Sequence, residues 1–408
     1  MIDDALPNSP VKVAQDAATF QWGEGTAQPG IGIALSGGGF RAMLFHAGAL
    51  ARMNELGLVS KAKRIASVSG GSITSGYLAV KWADLGKADA NGAFANFKTV
   101  VVEPILGFSR QKIDVVDALT GLLPWESASG EVAKSYDGNL YRGKTLQDLP
   151  DSPNFVFCAT NLQTGVLWRF TKSYAGDYVI GYLDKPSIRI AEAVAASSAF
   201  PPVLSPFILK PHAGSFKDWP DGPHVAPGDL PAYREQVVLC DGGVYDNHGI
   251  EPIVKSYLTD FVSDGGAPFQ RKGTLHTDWI SQLKRIVDVT DNQVRALRRR
   301  DLIDRFVEGK KIGNESGLTA NGHARLGAYW GIDTDPRKVD AAGAIPCNPD
   351  VTHKLAQLGT RLSDLGDTVS KQAINWGYAA CDRSLRVNYA GPLYNAPPTL
   401  PYPGAPLT

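Results

Sequence analysis

Short apolar runs that end in glycine-rich turns punctuate the first part of the chain. Residues 31–35 and 64–68 are runs of this kind, and each is followed by glycines and then by apolar residues three and four positions apart. This spacing predicts helices over residues 40–56 and 72–85. A strand, a glycine turn and a helix, repeated along the chain, is the arrangement of a parallel sheet that is covered by helices. The pattern therefore predicts an α/β fold.

Further elements follow in the remainder of the chain. Apolar runs predict strands at residues 155–159 and 237–240, and helical spacings occur at residues 188–199, 276–307, 350–365 and 369–385. Five prolines fall in residues 209–235 and six in the segment from 388 onwards, which predicts a long loop and an extended tail. The first 30 residues show no such periodicity and are predicted to form an arm.

Composition and charge exclude several classes of protein. The 41 Lys and Arg residues balance 41 Asp and Glu residues, so the chain lacks the basic excess of a nucleic-acid-binding protein. Its four cysteines form no C-x-x-C pair, which argues against a zinc site and favours a reducing compartment. We find neither a signal peptide nor a membrane-spanning run of apolar residues. We therefore expect a cytoplasmic protein or one peripheral to a membrane, while export without a signal peptide stays open.

A serine between a predicted strand and a predicted helix is the first candidate for chemistry. The segment Ser67-Val68-Ser69-Gly70-Gly71 is close to the G-x-S-x-G nucleophile elbow, in which a sharp turn exposes the serine and small neighbours let strand and helix approach. Ser67 departs from the pattern because it replaces the first glycine. A serine that caps the N-terminus of the helix explains the same segment equally well.

Three consecutive glycines, Gly37, Gly38 and Gly39, follow the first predicted strand and precede Arg41. The N–H groups of such a turn at a helix start converge on an anion. In acyl transfer they would form an oxyanion hole, worth about 2.7–4 kcal/mol per donor. Arg41 would brace the loop or add positive charge. A glycine turn that only needs positive φ is the alternative.

A second glycine segment, residues 138–145, fits the G-x4-G-K-T pattern of nucleotide-binding P-loops. Its context opposes that interpretation, because a polar stretch precedes it and Pro150 and Pro153 follow too soon for the long helix of a P-loop. We interpret the segment as a loop that leads into the strand at residues 155–159.

The third candidate is Asp241, which ends a predicted strand and is followed by Gly242 and Gly243. A carboxylate there can accept the proton of a serine hydroxyl at a neighbouring strand end. An ordinary Asp, with a pKa of about 3.9, needs desolvation to act as a base near neutral pH. An Asp-Gly turn without catalytic function is the more frequent reason for such a sequence. No histidine has a triad-like setting, so we favour a Ser-Asp dyad and keep His248 as the alternative third member.

Taken in order, the three motifs resemble those of the patatin-like phospholipases. That family combines a G-G-G-x-R/K loop, a G-x-S-x-G serine and a D-G-G/A aspartate, and residues 159–165 and 196–202 are similar to two of its other segments. The resemblance implies a three-layer α/β/α fold with a central, mostly parallel sheet and extra C-terminal helices. It further implies a serine acyl hydrolase of phospholipase A type that needs no cofactor or metal.

The resemblance also implies roles for individual residues. Ser69 would be the nucleophile and Asp241 the base. The elbow would be formed by Ser67, Gly70 and Gly71, and the oxyanion hole by Gly37, Gly38, Gly39 and Arg41. The predicted division is an arm at 1–30, a patatin-like catalytic core at 31–253, a helical C-terminal extension packed on the core at 254–387 and a Pro-rich extended tail at 388–408.

The expected partner is a lipid ester, with transient contact to a membrane surface and none to nucleic acid, while protein partners and oligomeric state stay open. Alternatives are a carboxylesterase, thioesterase or acyltransferase with the same dyad, or a non-catalytic lipid-binding module. Apolar residues at 100–125 would suit a cap over the site but are more simply explained as core. Arg298, Arg299 and Arg300 would suit phosphate headgroups but are more simply a solvated helix face.

Overall fold

A mixed sheet of eleven strands forms the centre of the fold in the described part of the chain. The computed structural model describes residues 27–111, 125–202, 204–211 and 213–408. The strands are β1 (Gln28–Leu35), β2 (Ala62–Ser67), β3 (Asn154–Asn161), β4 (Val166–Phe170), β5 (Tyr174–Asp177), β6 (Gly181–Asp184), β7 (Phe207–Leu209), β8 (Phe216–Lys217), β9 (Val237–Asp241), β10 (Tyr257–Asp264) and β11 (Leu326–Gly331).

Five of these strands form a parallel block in the order β11-β10-β1-β2-β3. On the far side of β3, the strands β4, β5, β6 and β8 continue the sheet in antiparallel fashion. Strand β9 also pairs antiparallel with β3 and carries β7 on its other edge. The strands of a parallel block are buried on both faces, which is why β1, β2 and β3 are recognisable as apolar runs. The predicted α/β fold is confirmed.

The helices are α1 (Gly39–Glu55), α2 (Gly70–Val80), α3 (Glu103–Phe108), α4 (Trp125–Tyr136), α5 (Ile190–Ser197), α6 (Leu230–Glu235), α7 (Gly243–Asp246), α8 (Glu251–Val254), α9 (Trp279–Ile312), α10 (Glu315–Asn321), α11 (Pro349–Ala356) and α12 (Asp367–Asn388). They cover both faces of the parallel block. Successive strand residues point to opposite faces of the sheet, so neighbouring positions contact different layers of helices. Ile33 and Ile65 pack in a cluster with α1, α2 and α12. Ala34 and Ala66 pack in a separate cluster with α8 and α9. This confirms the three-layer α/β/α arrangement.

The last helix, α12, packs directly on α1. A Cβ atom at Gly48 would lie 1.8 Å from the carbonyl oxygen of Ile374, so only glycine allows this crossing. Next to it, the buried guanidinium of Arg52 forms a 2.8 Å ion pair with Asp382. The C-terminal helix is therefore part of one layer of the core.

The prediction of helices alone beyond residue 254 is wrong, because β10 and β11 lie in that region. Strand β10 lies inside the parallel block, between β1 and β11. All of its eight positions are buried, yet Thr259, Asp260 and Ser263 interrupt its apolar residues. A pattern of hydrophobic positions therefore does not reveal it.

Other predicted boundaries also change. The predicted loop at 209–235 contains β8 and α6, and the helix predicted at 350–365 ends at Ala356. Strand β1 begins at Gln28, inside the predicted arm, whose residues 1–26 lie outside the described residues. The same holds for 112–124 of the predicted cap. In the described part of that segment, Val101, Val102, Ile105, Leu106 and Phe108 belong to the main core.

Candidate active site

Ser69 lies in a strained turn between β2 and α2. Its backbone has φ 50° and ψ −117°, a conformation that residues other than glycine rarely adopt. Such strain at a strand-to-helix turn is typical of a nucleophile elbow. The residue is 6% exposed. Its backbone N–H donates to the hydroxyl of Ser197 over 3.0 Å, which fixes the turn to the end of α5.

The residues around this turn explain why its neighbours are small. A Cβ atom at Gly70 would lie 2.2 Å from the carbonyl oxygen of Gly39, so the start of α2 touches the start of α1. Ser67, which stands where the pattern has glycine, is fully buried. Its hydroxyl lies 2.6 Å from that of Ser75 and 3.0 Å from that of Ser72. The departure from glycine is therefore accommodated by a buried cluster of hydroxyl groups.

Asp241 lies next to Ser69 because β2 and β9 pair with the same edge of β3, one after the other. Ser67 of β2 pairs with Phe157, and Asp241 of β9 pairs with Ala159, two residues further along the same strand. Since β4 occupies the other edge of β3 at these positions, β2 and β9 meet end to end. The two motifs, far apart in sequence, are thereby brought together.

The Asp241 carboxyl group is buried and has few partners. It accepts the N–H of Gly243 over 2.7 Å, and the hydroxyl of Ser69 is close enough to act on its pKa. Burial raises the pKa of Asp241 to about 7; the Gly243 N–H and the Ser69 hydroxyl lower it, and the negative charge of Asp291 raises it. A carboxyl group with this pKa changes its protonation near neutral pH.

The glycine loop lies beside Ser69, but its three amides differ. A Cβ atom at Gly37 would lie 3.3 Å from the Cβ of Ser69. The N–H of Gly37, however, donates to the carbonyl oxygen of Asn247 over 3.0 Å. Gly37 is therefore not available as an oxyanion donor, and that prediction needs correction. For Gly38 and Gly39, with φ of 143° and 62°, no partner of the N–H group is found among the described residues.

Arg41 braces this loop from beneath. Its side chain is fully buried, and its Nε donates to the carbonyl oxygen of Gly265 over 3.0 Å. The guanidinium also hydrogen-bonds to the carbonyl oxygen of Leu358 and, at 3.4 Å, to the hydroxyl of Thr360. Burial and the nearby charge of Arg295 lower its pKa to about 10, against the opposing effect of Asp264. Of the two predicted roles, the contacts match bracing.

Comparison with known protein families decides the assignment. A model of the family "Patatin-like phospholipase" matches residues 33–254, more than half of the 408 residues. The chain belongs to the patatin-like phospholipase family. The family is one of lipid acyl hydrolases with a serine nucleophile, as the sequence motifs predict.

Solved structures give only distant similarities. Human GIVD cytosolic phospholipase A2 in complex with methyl gamma-linolenyl fluorophosphonate has a TM-score of 0.47 at 12% identity, over 92% of this chain and 61% of that chain. Another structure of the human GIVD enzyme has a TM-score of 0.39 at 12% identity, over 70% of this chain and 51% of that chain. VipD from Legionella pneumophila has a TM-score of 0.35 at 14% identity, over 88% of this chain and 67% of that chain.

This chain therefore spans about half to two thirds of the length of those structures. No curated protein sequence matches the chain.

In this member of the patatin-like family, His248 does not complete a triad. Its Nε2 atom lies 3.1 Å from the carboxylate of Asp264, in a buried pair on the β10 side of the glycine loop. Within the described residues, neither Ser69 nor Asp241 is hydrogen-bonded to a histidine. His212 lies outside the described residues.

Two contributors to the site were missed by the sequence motifs. Ser197 holds the backbone of Ser69, and Asn247 accepts from Gly37. Both lie in segments already noted for other reasons: Ser197 in residues 196–202 and Asn247 six residues after Asp241. Across the described ranges, no group of three or more His, Cys, Asp or Glu residues is arranged to hold a metal ion.

Proposed function

We propose that this chain hydrolyses lipid esters as a phospholipase A-type serine acyl hydrolase, with Ser69 as nucleophile and Asp241 as general base. The observation that carries the proposal is the end-to-end meeting of β2 and β9, which brings the Ser69 hydroxyl close enough to the buried Asp241 carboxyl group to lower its pKa. It occurs at a strained turn beside the amides of Gly38 and Gly39. Family membership supplies the substrate class, which is lipid.

In the first half of the reaction, Asp241 takes the proton of the Ser69 hydroxyl as Oγ attacks the ester carbonyl carbon. The carbonyl π electrons move to oxygen, and the developing negative charge is held by the N–H groups of Gly38 and Gly39. Both helices that begin here, α1 and α2, direct their positive ends toward this charge. The C–O bond then breaks, the alkoxide takes the proton from Asp241, and an acyl-enzyme remains.

In the second half, a water molecule attacks the acyl-enzyme while Asp241 accepts its proton. Collapse of the tetrahedral intermediate breaks the bond to Ser69, whose oxygen takes the proton back, and the fatty acid is released. A pKa near 7 suits this exchange, because the same group must accept a proton and return it near neutral pH.

The test is labelling with a fluorophosphonate probe, followed by mass spectrometry of products from mixed phospholipids and galactolipids. We expect labelling at Ser69 that is lost in Ser69→Ala, and release of free fatty acid. Absence of labelling would leave a non-catalytic lipid-binding module. Turnover of short soluble esters without lipid products would indicate a carboxylesterase, and transfer of the acyl group to an alcohol or thiol would indicate an acyltransferase.

A further inference from the structure

The first three turns of α9, residues 279–290, carry an apolar face that points to solvent. Trp279 is 75% exposed, Ile280 61%, Leu283 56%, Ile286 59% and Val287 54%. At 3.6 residues per turn, these positions fall within an arc of about 120° on one side of the helix. Single exposed apolar residues are ordinary, but a continuous face of them is not.

The polar side of the same turns faces the protein. Ser281 and Arg285 are the half-buried positions there, and the guanidinium of Arg285 lies 4.1 Å from the centre of the Phe269 ring. The segment is thus oriented opposite to an ordinary surface helix, which buries its apolar face. Asp278 caps its N-terminus by accepting the N–H of Ser281 over 2.9 Å.

The next turns of α9 fix this face beside the candidate active site. Asp291 is near enough to Asp241 to raise its pKa. Arg295 forms a 3.3 Å ion pair with Asp264 and donates to the carbonyl oxygen of Ala267 over 2.8 Å. One turn further on, Arg298 lies 3.5 Å from Asp246 in α7. The ion pairs of Arg295 and Arg298 therefore fix the position of the exposed segment 279–290, which precedes them on the same helix.

Two more exposed apolar side chains lie next to Asp241. Phe200 is 55% exposed, and the residue before it accepts the N–H of Asp241 over 2.9 Å. Val244 is 50% exposed and lies three residues after Asp241. Exposed apolar side chains thus also occur on the chain segments that hold the Asp241 carboxyl group.

We propose that the apolar face of residues 279–290 docks on the surface of a phospholipid membrane and positions the active site there. The inference rests on the proposed lipid-ester hydrolase function, since it is a lipid substrate that would lie on that side. The residue types fit a helix that lies in the plane of a membrane interface: Trp, Leu and Ile on one side and basic residues around them. Arg271, Lys272 and Lys284 are exposed in and just before these turns.

The size of the face also favours a lipid surface over a protein partner. Twelve residues of helix give a strip about 18 Å long, and at about 10 Å width it covers roughly 200 Å². A stable protein interface takes about 800 Å² from each partner. None of the described helices is long and apolar enough to cross a membrane. Insertion of this face into the headgroup region accounts for its exposure.

The run Arg298, Arg299 and Arg300 is a weaker candidate for the same role. Arg298 pairs with Asp246, and Arg299 lies 3.8 Å from Asp333. Two of the three charges are therefore engaged within the protein, which leaves Arg300 as the exposed one. The apolar face, together with its flanking cations, carries the proposal.

The experiment is flotation of the full chain with vesicles of ether-linked phosphatidylcholine and phosphatidylglycerol, which an ester hydrolase does not degrade. The test variant is Leu283→Ser/Ile286→Ser, in which both substituted side chains are exposed. We expect its vesicle partition coefficient to fall at least about tenfold. The matched control is Ile303→Ser/Val307→Ser, on the same helix and with similar exposure, but about 120° or more away from the centre of the face. It should float like the wild type.

A soluble substrate, p-nitrophenyl butyrate, separates this inference from the proposed function. Hydrolysis should be the same in the wild type and both double variants, which also shows that they fold. If the double variant is inactive on it, Trp279→Ser at the exposed helix end replaces it, with the same expected loss of flotation. A wild type that floats but does not hydrolyse the ester would contradict the proposed function alone.

Three results would overturn the docking proposal: a wild type that does not float, equal flotation of the wild type and Leu283→Ser/Ile286→Ser, or equal losses in both double variants. A wild-type dimer that this variant converts to a monomer, without flotation, would show that a second copy covers the face.

Discussion

Two buried aspartates, Asp241 at the end of β9 and Asp264 at the end of β10, have pKa values that are shifted in opposite directions. Both are almost inaccessible to solvent. Burial raises the pKa of Asp241 to about 7, and the groups that oppose the rise are the Gly243 N–H and the Ser69 hydroxyl, with no cation among them. The pKa of Asp264 is held well below its ordinary value despite the same burial, because Arg295 and His248 adjoin it and Tyr329 donates to it over 2.7 Å.

The opposite pKa shifts of Asp241 and Asp264 show that the neighbouring charged groups, and not the residue type, determine whether a buried aspartate stays ionised. Asp264 stays ionised; it ties β10 to α9 through its ion pair with Arg295, and to the segment after α7 through His248. Asp241 lacks such a counter-ion and lies beside Ser69, as the proposed role of a general base requires. A third buried carboxyl group, Asp260, accepts no hydrogen bond from the described residues, and burial raises its pKa against the lowering effect of Arg325 and Arg305.

The largest effect is expected for Asp241→Asn, which removes the proposed base and keeps the shape. Loss of general base catalysis should lower kcat/KM for p-nitrophenyl butyrate by about 10²–10⁴-fold. The free energy of unfolding at pH 8 should not fall, because the variant removes a carboxylate that burial disfavours.

Urea unfolding of the Asp241→Asn variant provides the control. If activity survives this substitution, Asp241 is not the base, and the comparison with Asp264 loses its meaning.

The second prediction concerns Asp264→Asn. Removal of this charge takes from the buried Arg295 its closer counter-ion, leaving Asp291 at 3.9 Å, and takes from His248 its carboxylate hydrogen-bond partner. Breaking a buried pair typically costs about 3–5 kcal/mol. We expect the free energy of unfolding at pH 7 to fall by about that amount, measured by urea denaturation.

A matched control is Asp335→Asn, because Asp335 pairs with the exposed Arg337, and we expect less than about 1 kcal/mol of change. Because the folded-state pKa of Asp264 is depressed, its stabilisation is present above the unfolded-state pKa and is lost as pH falls below it. A variant as stable as the wild type would show that the ion cluster is not stabilising.

The sequence predicted one of these aspartates and not the other, for physical reasons. Asp241 follows an apolar run and precedes two glycines, and Ser69 has the same kind of context, so the local pattern makes both candidates, and the ordered motifs of the family resemblance then assign them roles. Asp264 ends β10, which the hydrophobic pattern does not predict because polar residues interrupt the strand. The end-to-end meeting of β2 and β9 depends on pairing with β3, which is a long-range property.

The glycine loop shows the same limit at atomic scale. From the sequence alone, the three adjacent glycines are equally good candidates for an oxyanion donor. Their difference arises from Asn247, about 210 positions away in the chain, whose carbonyl oxygen occupies the N–H of Gly37. Likewise, Ser67 departs from the elbow pattern in the sequence, but in the fold its hydroxyl is satisfied by Ser72 and Ser75.

The third prediction concerns the pH dependence of ester hydrolysis, which tests whether Asp241, unlike Asp264, changes its protonation near neutral pH. With a pKa of about 7 for Asp241, log kcat/KM for a soluble ester should rise by about one per pH unit up to near pH 7 and then level off. Activity at pH 5 should be about one hundredth of the plateau.

Asp291→Asn should move the inflection to lower pH, because the charge of Asp291 raises the pKa of Asp241. A rate that stays flat down to pH 5, after subtraction of spontaneous hydrolysis, would show that Asp241 remains ionised there.

The smallest effect is expected at Asp260, where burial acts without the compensation that Asp264 receives. Both carboxyl oxygens lack a hydrogen-bond partner among the described residues. Burial raises the pKa to about 8, although Arg325 and Arg305 lower it. A raised folded-state pKa means that this group's contribution to stability is lost as pH rises from about 4 toward 8. Asp260→Asn should remove that loss.

For Asp260→Asn we therefore expect a gain in the free energy of unfolding, relative to the wild type, of at least about 1 kcal/mol at pH 8.5 and near zero at pH 4. Urea denaturation at the two pH values measures it, with Asp335→Asn as the exposed control. A variant that is less stable at both pH values would mean that the attraction of Arg325 and Arg305 outweighs the burial cost. In that case Asp260 would resemble Asp264, and burial alone would not explain the raised pKa of Asp241.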